Sequence, residues 1–280
     1  MKQQTISKAI NYEGDGLHSG LPVKMRILPS EPNTGITFVR TDLPGTPSVK
    51  ADIRNVTNTM RATTLEDGEA KVFTVEHILA AFYGMAIDNC IIELNSPEPP
   101  IADGGSATFV QLIKEAGIVE QDVDRRVYTV KQSHGIYEED KFIVIRPYDG
   151  FRVTFTSINS HPMLGTQHAD YEINPDVFAT EIAPARTIGF TKEIEQLQAM
   201  GLAKGGSTEN VIVYDDTTCL SELNFPDELV RHKILDILGD LFLVGHLKGH
   251  IIAVKSSHNL NSRLSREILK EMQEEAKKND

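Results

Sequence analysis

The chain has 280 residues, 40% of them apolar and 24% charged, a balance that suits one large or two modest globular domains and excludes disordered or fibrous architectures. Its formal net charge of −12, with no long run of Lys or Arg, excludes sequence-independent binding to phosphate backbones, so no nucleic-acid partner is expected. The two cysteines, Cys90 and Cys219, form no CxxC and fit a reducing compartment, and no segment reaches the roughly 20 uninterrupted apolar residues of a membrane span.

In chain order, MKQQTISKAI lacks the apolar stretch of a secretory signal, so a cytoplasmic protein is expected, with any membrane contact peripheral. Val23, Met25 and Ile27 alternate as a strand does, and Ile36 to Val39 form a second short strand behind Pro/Asn/Gly turn signals. From Phe73 the period lengthens, and Val75, Ile78, Leu79 and Phe82 predict a helix that Gly84 closes. Strand Cys90 to Leu94 follows, then a Pro/Gly loop from Ser96 to Gly105 and a helix with Phe109, Leu112 and Ile113 on one side.

After Arg126 the same order returns. Strands are predicted at 127–130, 142–145 and 151–155, a helix near Val230 carries Ile234, Leu235, Leu238 and Leu241, strand 251–254 comes next, and a last helix starts near Asn261. Val75-Glu76-His77 can be laid on Val230-Arg231-His232. The expected fold is therefore α+β, with two similar domains from an internal duplication, 1–125 and 126–280, and a site between equivalent elements. A coincidental order of elements in a single domain is the alternative. The second half carries an extra βαβ-type segment near 182–216, and the closing tail REILKEMQEEAKKND reads as a solvated helix end.

His232 and Asp236 stand four positions apart on a predicted helix, so both side chains lie on one face and can share a metal. His77, on the equivalent first helix, completes a set of two imidazoles and one carboxylate that leaves a coordination position open, the composition of a catalytic Zn2+; Fe2+ also suits it. Glu76 adjoins His77 and can reach a water at the metal without displacing it, as a general base. His258, in a polar loop after the last strand, is placed to act as a charged stabiliser or acid, with Asp240 one turn past Asp236 to orient it. Thr187 offers a hydroxyl beside a carbonyl oxygen that gains charge. Each has a plain structural alternative: a helix-start carboxylate, a surface hydrogen bond, a turn cap. His18, flanked by glycines, is the runner-up ligand, while His134, His161, His168, His246 and His250 are read as structural or exposed.

The blocks GDGLHSG, TVEHILAA, IDNCIIELN, PIADGGSA, ARTIGF, GLAKGGS, RHKILDILGD and KSSHNLNSRL, in this order over nearly the whole chain, resemble the UDP-3-O-acyl-N-acetylglucosamine deacetylases of lipid A biosynthesis. The resemblance implies a zinc-dependent amide hydrolase that removes the N-acetyl group of an acylated UDP-amino-sugar; a monomer is expected. It implies His77, His232 and Asp236 as metal ligands, Glu76 as base, His258 as essential histidine oriented by Asp240, and Thr187 on the oxyanion side. It also implies Lys233 on the sugar-diphosphate side, with Leu17, Ile188, Phe190 and Lys255 as further substrate-binding residues. Helices are expected between two sheets. The 182–216 segment is expected to form an apolar passage for the acyl chain, including Ile188, Phe190, Ile194 and Leu202.

Overall fold

The structure, a computed structural model, describes residues 1–279. The alternation seen in the sequence builds a sheet whose inner rows hold Val23, Met25 and Ile27 from Pro22–Pro29 and Cys90, Ile92 and Leu94 from Cys90–Leu94, all buried. Its strand order is Ile10–Asp15, Pro22–Pro29, Cys90–Leu94, Ile36–Arg40, Ser48–Lys50, with only the Cys90–Leu94/Ile36–Arg40 pair parallel. A second sheet runs His134–Glu138, Lys141–Arg146, His246–Val254, Phe151–Ile158, Thr166–Glu172, and its one parallel pair among these five strands stands at the same place. Val127–Thr129 adds to it by pairing parallel with the start of His246–Val254. The protein is α+β, as expected.

Several strands went unpredicted. Lys2–Ile6 pairs antiparallel with Ile118–Asp124, and Val56–Asn58, Thr64–Asp67 and Ala70–Phe73 form a small sheet of their own. In KQQTI the buried side chains include the polar Gln3 and Thr5, and in IVEQDVD the apolar Ile118 and Val119 are exposed, so hydrophobic period gives little signal in either strand.

The helices are α1 (Glu76–Gly84), α2 (Ala107–Ala116), α3 (Pro175–Val177), α4 (Thr191–Ala199), α5 (Glu228–Phe242) and α6 (His258–Asn279). Every residue of α1 is buried, as befits a helix covered on all sides. It packs directly on α5, which leans on strands Phe151–Ile158 and Thr166–Glu172. Small residues make this closeness feasible. A Cβ at Gly239 of α5 would stand 2.1 Å from the Glu76 carbonyl oxygen, and one at Gly84 2.1 Å from the Phe178 ring. The last helix starts at His258, three residues earlier than the apolar period indicates, and Asp280, the end of the predicted solvated tail, lies outside the described residues.

In the extra segment, α3 runs into a π-helical turn, Phe178–Ile182, and α4 joins two parallel strands, Ile188–Phe190 and Ile212–Tyr214. Ile212 and Tyr214 share a small core with Leu164 and Leu229, at the foot of α5. The segment docks on the first sheet's loops through glycines. Gly205 N–H donates to the Leu17 carbonyl, Thr187 N–H to that of Gly104, and a Cβ at Gly205 would lie 2.1 Å from the Gly16 oxygen.

Candidate metal centre and active site

Thr74, just before α1, is held in the left-handed region at φ 57, which turns the chain so that Glu76 and His77 occupy the helix's first turn. Its hydroxyl donates to the buried Glu98 carboxylate, which also accepts the His18 and Ser19 N–H groups, so one carboxylate ties the start of α1 to the Gly-rich 16–20 loop. On α5, the four-residue spacing of His232, Asp236 and Asp240 aligns them on one face toward α1.

His77, His232 and Asp236, all buried, offer one ligand atom each within 4.8 Å of one another. The imidazole centroids lie 5.1 Å apart. His232 Nδ1–H donates to the Ala185 carbonyl at 3.0 Å, which fixes the tautomer and leaves Nε2 as the lone-pair nitrogen, 3.4 Å from Asp236 Oδ1. Asp236 Oδ2 is taken by the Lys233 ammonium at 2.6 Å. His77 Nδ1 is buried and has no hydrogen-bond partner among the described residues, a costly arrangement for a polar atom unless an ion meets it. Burial, with the His232 ring beside it, pushes the His77 imidazole down to about 3, and burial also lowers His232. Burial pushes Asp236 up, but Lys233 and the neighbouring imidazoles outweigh it and hold the carboxyl well below its usual range. Neutral imidazoles and an ionised carboxylate are the protonation states a divalent cation requires. The residues fit a metal.

Beside this cluster, Glu76 is 2% exposed; its Oε2 accepts the Thr63 N–H at 3.0 Å and its Oε1 faces His258 Nε2 at 3.8 Å. Burial drives Glu76 up to about 7, with His258 pulling the other way. His258 Nδ1–H donates to Asp240 Oδ2 at 2.8 Å. Burial lowers that imidazole, yet the charges of Asp240, Glu76 and Asp236 more than offset it and raise it to about 10. The arrangement sets a carboxylate able to take a proton opposite an imidazolium able to give one, with a metal site between helices.

Residues 3–270 match the family described as UDP-3-O-acyl N-acetylglycosamine deacetylase. The UDP-3-O-acyl-N-acetylglucosamine deacetylase of Haemophilus influenzae (strain 86-028NP) is 44% identical over 275 residues, covering 96% of this chain and 90% of the relative. That of Anaeromyxobacter sp. (strain Fw109-5) is 46% identical over 272 residues, covering 95% and 88%, and that of Hahella chejuensis (strain KCTC 2396) 43% over 278, covering 96% and 91%. The chain belongs to this deacetylase family.

In this member of the deacetylase family the metal cluster opens into a cavity of about 740 Å³ lined by Glu76, His258, Thr187, Leu17, Ile188, Phe190, Ile194, Lys233 and Lys255, among others. Leu202, expected there, does not line it; His18 does. His18 stands outside the metal cluster, its Nδ1 accepting the Ala203 N–H at 3.4 Å, and is no ligand in that set. Lys233 is engaged with Asp236, and Lys255 forms an ion pair with Asp140. His258 is the first residue of α6, not a loop residue, because Asn261 N–H already bonds the Ser257 carbonyl in helical fashion.

The remaining histidines have local partners: His134 meets Glu271 at 2.6 Å, His161 the Asp215 carbonyl, His250 Thr154, His168 Thr156, and His246 stands 3.3 Å from Asp88. Sequence reasoning missed Thr63, Asn261 and the Arg61–Glu193 ion pair that joins the 59–63 turn to α4. Asn261 lay within a recognised block. Thr63 and Arg61 had no signal, since neither sits in a periodic element.

Proposed function

We propose that this protein hydrolyses the N-acetyl group of UDP-3-O-acyl-N-acetylglucosamine, giving acetate and the free 2-amino sugar nucleotide, a step of lipid A biosynthesis. Membership of the deacetylase family supports the reaction. The observation that carries the site is the buried His77/His232/Asp236 cluster, with its unpartnered His77 nitrogen, beside Glu76 and His258.

A divalent cation on His77, His232 and Asp236, zinc by donor type although iron(II) takes the same donors, would supply Lewis acidity and bring a water's pKa toward neutrality. Glu76 takes the water's proton at Oε1, while Oε2 stays anchored on the Thr63 N–H. Thr187, on the cavity wall, donates its hydroxyl to the oxyanion of the tetrahedral intermediate. His258 Nε2–H, held cationic by Asp240, protonates the departing C2 nitrogen. In this reading Lys233 serves the sugar-diphosphate side, Lys255 is a further substrate-binding residue on the cavity wall, and Leu17, Ile188, Phe190 and Ile194, which also line the cavity, serve the acyl chain.

The reading includes a chain of two related halves, 1–125 and 126–280, the second with an insert near 182–216; support comes from the two sheets' shared strand order and from helices flanking the central strand in each. It also includes a monomer in the cytoplasm, in keeping with two unpaired cysteines. Among the described residues no helix is long and apolar enough to cross a membrane, so any membrane contact in this reading is peripheral.

Metal analysis of the purified protein together with acetate release tests the proposal. Release from UDP-3-O-acyl-N-acetylglucosamine and not from N-acetylglucosamine is expected. Hydrolysis of another acylated amino sugar in its place would assign a different substrate to the same chemistry, and a metal-free, inert protein would refute the reading.

A further inference from the structure

We propose that Thr63 is a positioning residue that sets the general base and the acid histidine relative to each other, the first through its main chain and the second through its side chain. The inference rests on the roles given above to Glu76 and His258. Thr63 lies between strands Val56–Asn58 and Thr64–Asp67 and is 1% exposed. Its N–H donates to Glu76 Oε2 at 3.0 Å, and among the described residues this is the one hydrogen bond on that carboxylate. Its hydroxyl stands 2.6 Å from Asp240 Oδ1. An ionised carboxylate only accepts, so the hydroxyl proton points at Asp240.

Asp240 Oδ2 is already shared by His258 Nδ1–H at 2.8 Å and the Asn261 amide at 2.9 Å. Thr63 therefore fixes the other end of the same carboxylate, and with it the plane along which Asp240 holds the imidazole. Glu76 belongs to α1 and Asp240 to α5, whose relative placement helix packing alone defines only loosely on the scale of a proton transfer. One buried residue hydrogen-bonded to both removes that freedom. A hydroxyl donor to a buried carboxylate is a charge-assisted bond, stronger than a neutral one.

Thr63→Val keeps the main-chain N–H and the side-chain shape but removes the hydroxyl, whereas Thr63→Ser keeps both donors. In the metal-loaded protein, Thr63→Val is expected to lower kcat roughly 10- to 100-fold, the loss of one hydrogen bond to a charged group, with KM and metal content unchanged; Thr63→Ser should restore the rate. Acting through Asp240, the Thr63→Val loss should disappear in an Asp240→Ala background. A readout without turnover is the low-field proton resonance of His258 Nδ1–H, identified by its absence in His258→Gln. It should shift or broaden in Thr63→Val and persist in Thr63→Ser. An unchanged resonance with unchanged kcat in Thr63→Val, or a loss that adds in full to that of Asp240→Ala, overturns the proposal. A resonance that shifts in a protein releasing no acetate from the nucleotide sugar upholds Thr63 and overturns the substrate reading instead.

Discussion

Glu76 and His77 are chain neighbours with separable duties, since one side chain faces His258 and the other joins the metal cluster. His77→Ala is expected to lower bound metal, read by elemental analysis, together with turnover. Glu76→Ala should keep the metal and lower kcat by about 100-fold or more, the usual worth of a general base; normal turnover would strip Glu76 of that role. Asp240 holds His258 charged up to about 10. Removing the negative charge in Asp240→Asn lets the imidazole lose its proton at lower pH, so the basic limb of the kcat/KM profile should move down, and an unmoved limb would exclude His258 as the acid. His232 and Asp236 were legible in the sequence because a spacing of four fixes a shared helix face. Glu76 was a candidate by adjacency to His77 and by its place in the TVEHILAA block. Thr63 was not, because its bond to Asp240 joins a turn to a helix across |i−j| = 177, and neither period nor motif reports such a meeting.

Between elements, the crossing of α1 and α5 decides how near the first turn of one comes to the face of the other. Gly239→Ala would press a methyl onto the Glu76 carbonyl, 2.1 Å away, so the helices must part. An overpacking cost of about 1–3 kcal/mol is expected in urea unfolding, together with a loss of turnover in the protein that remains folded, as Glu76 leaves its position. Parental stability and rate would mean that the crossing yields without consequence. Apolar spacing announced α1, α2 and α5 and the buried strands, since those elements earn their place by burying one face. It misplaced the start of α6, where Ser256, Ser257, His258 and Asn259 carry no apolar period. Polar residues of this kind favour the first turn of a helix, and here the Ser256 hydroxyl bonds the Asn261 side chain at 2.7 Å.

Over the whole molecule, the stretch between strands Ile118–Asp124 and Val127–Thr129 is itself tied down. The Arg125 guanidinium meets Asp88 at 2.7 Å, Asp88 accepts the Gln4 N–H at 2.6 Å, and His246, opening the second sheet's central strand, stands beside the same carboxylate. Burial pushes Asp88 up, but His246 and Arg125 outweigh it and the carboxyl is held below its ordinary value. A depressed folded-state pKa stabilises the protein above the unfolded value near 3.9, and that contribution fades as pH falls through the folded-state value. Asp88→Asn should therefore cost about 3 kcal/mol in urea unfolding at pH 7, as for a buried pair that loses one charge, and the gap to the parent should shrink as the pH drops below about 4. A gap independent of pH would show that packing, not charge, holds this stretch. Because the candidate metal cluster would draw one ligand from α1 and two from α5, a nascent chain owns no complete chelate until residue 236 has left the ribosome. At about 5–20 residues per second, roughly 8 to 30 s separate synthesis of His77 from that of Asp236. Metal capture by this cluster would thus be one of the last events of biogenesis, and a translation product that ends before His232, however well its earlier residues fold, holds no more than a third of the cluster's donors.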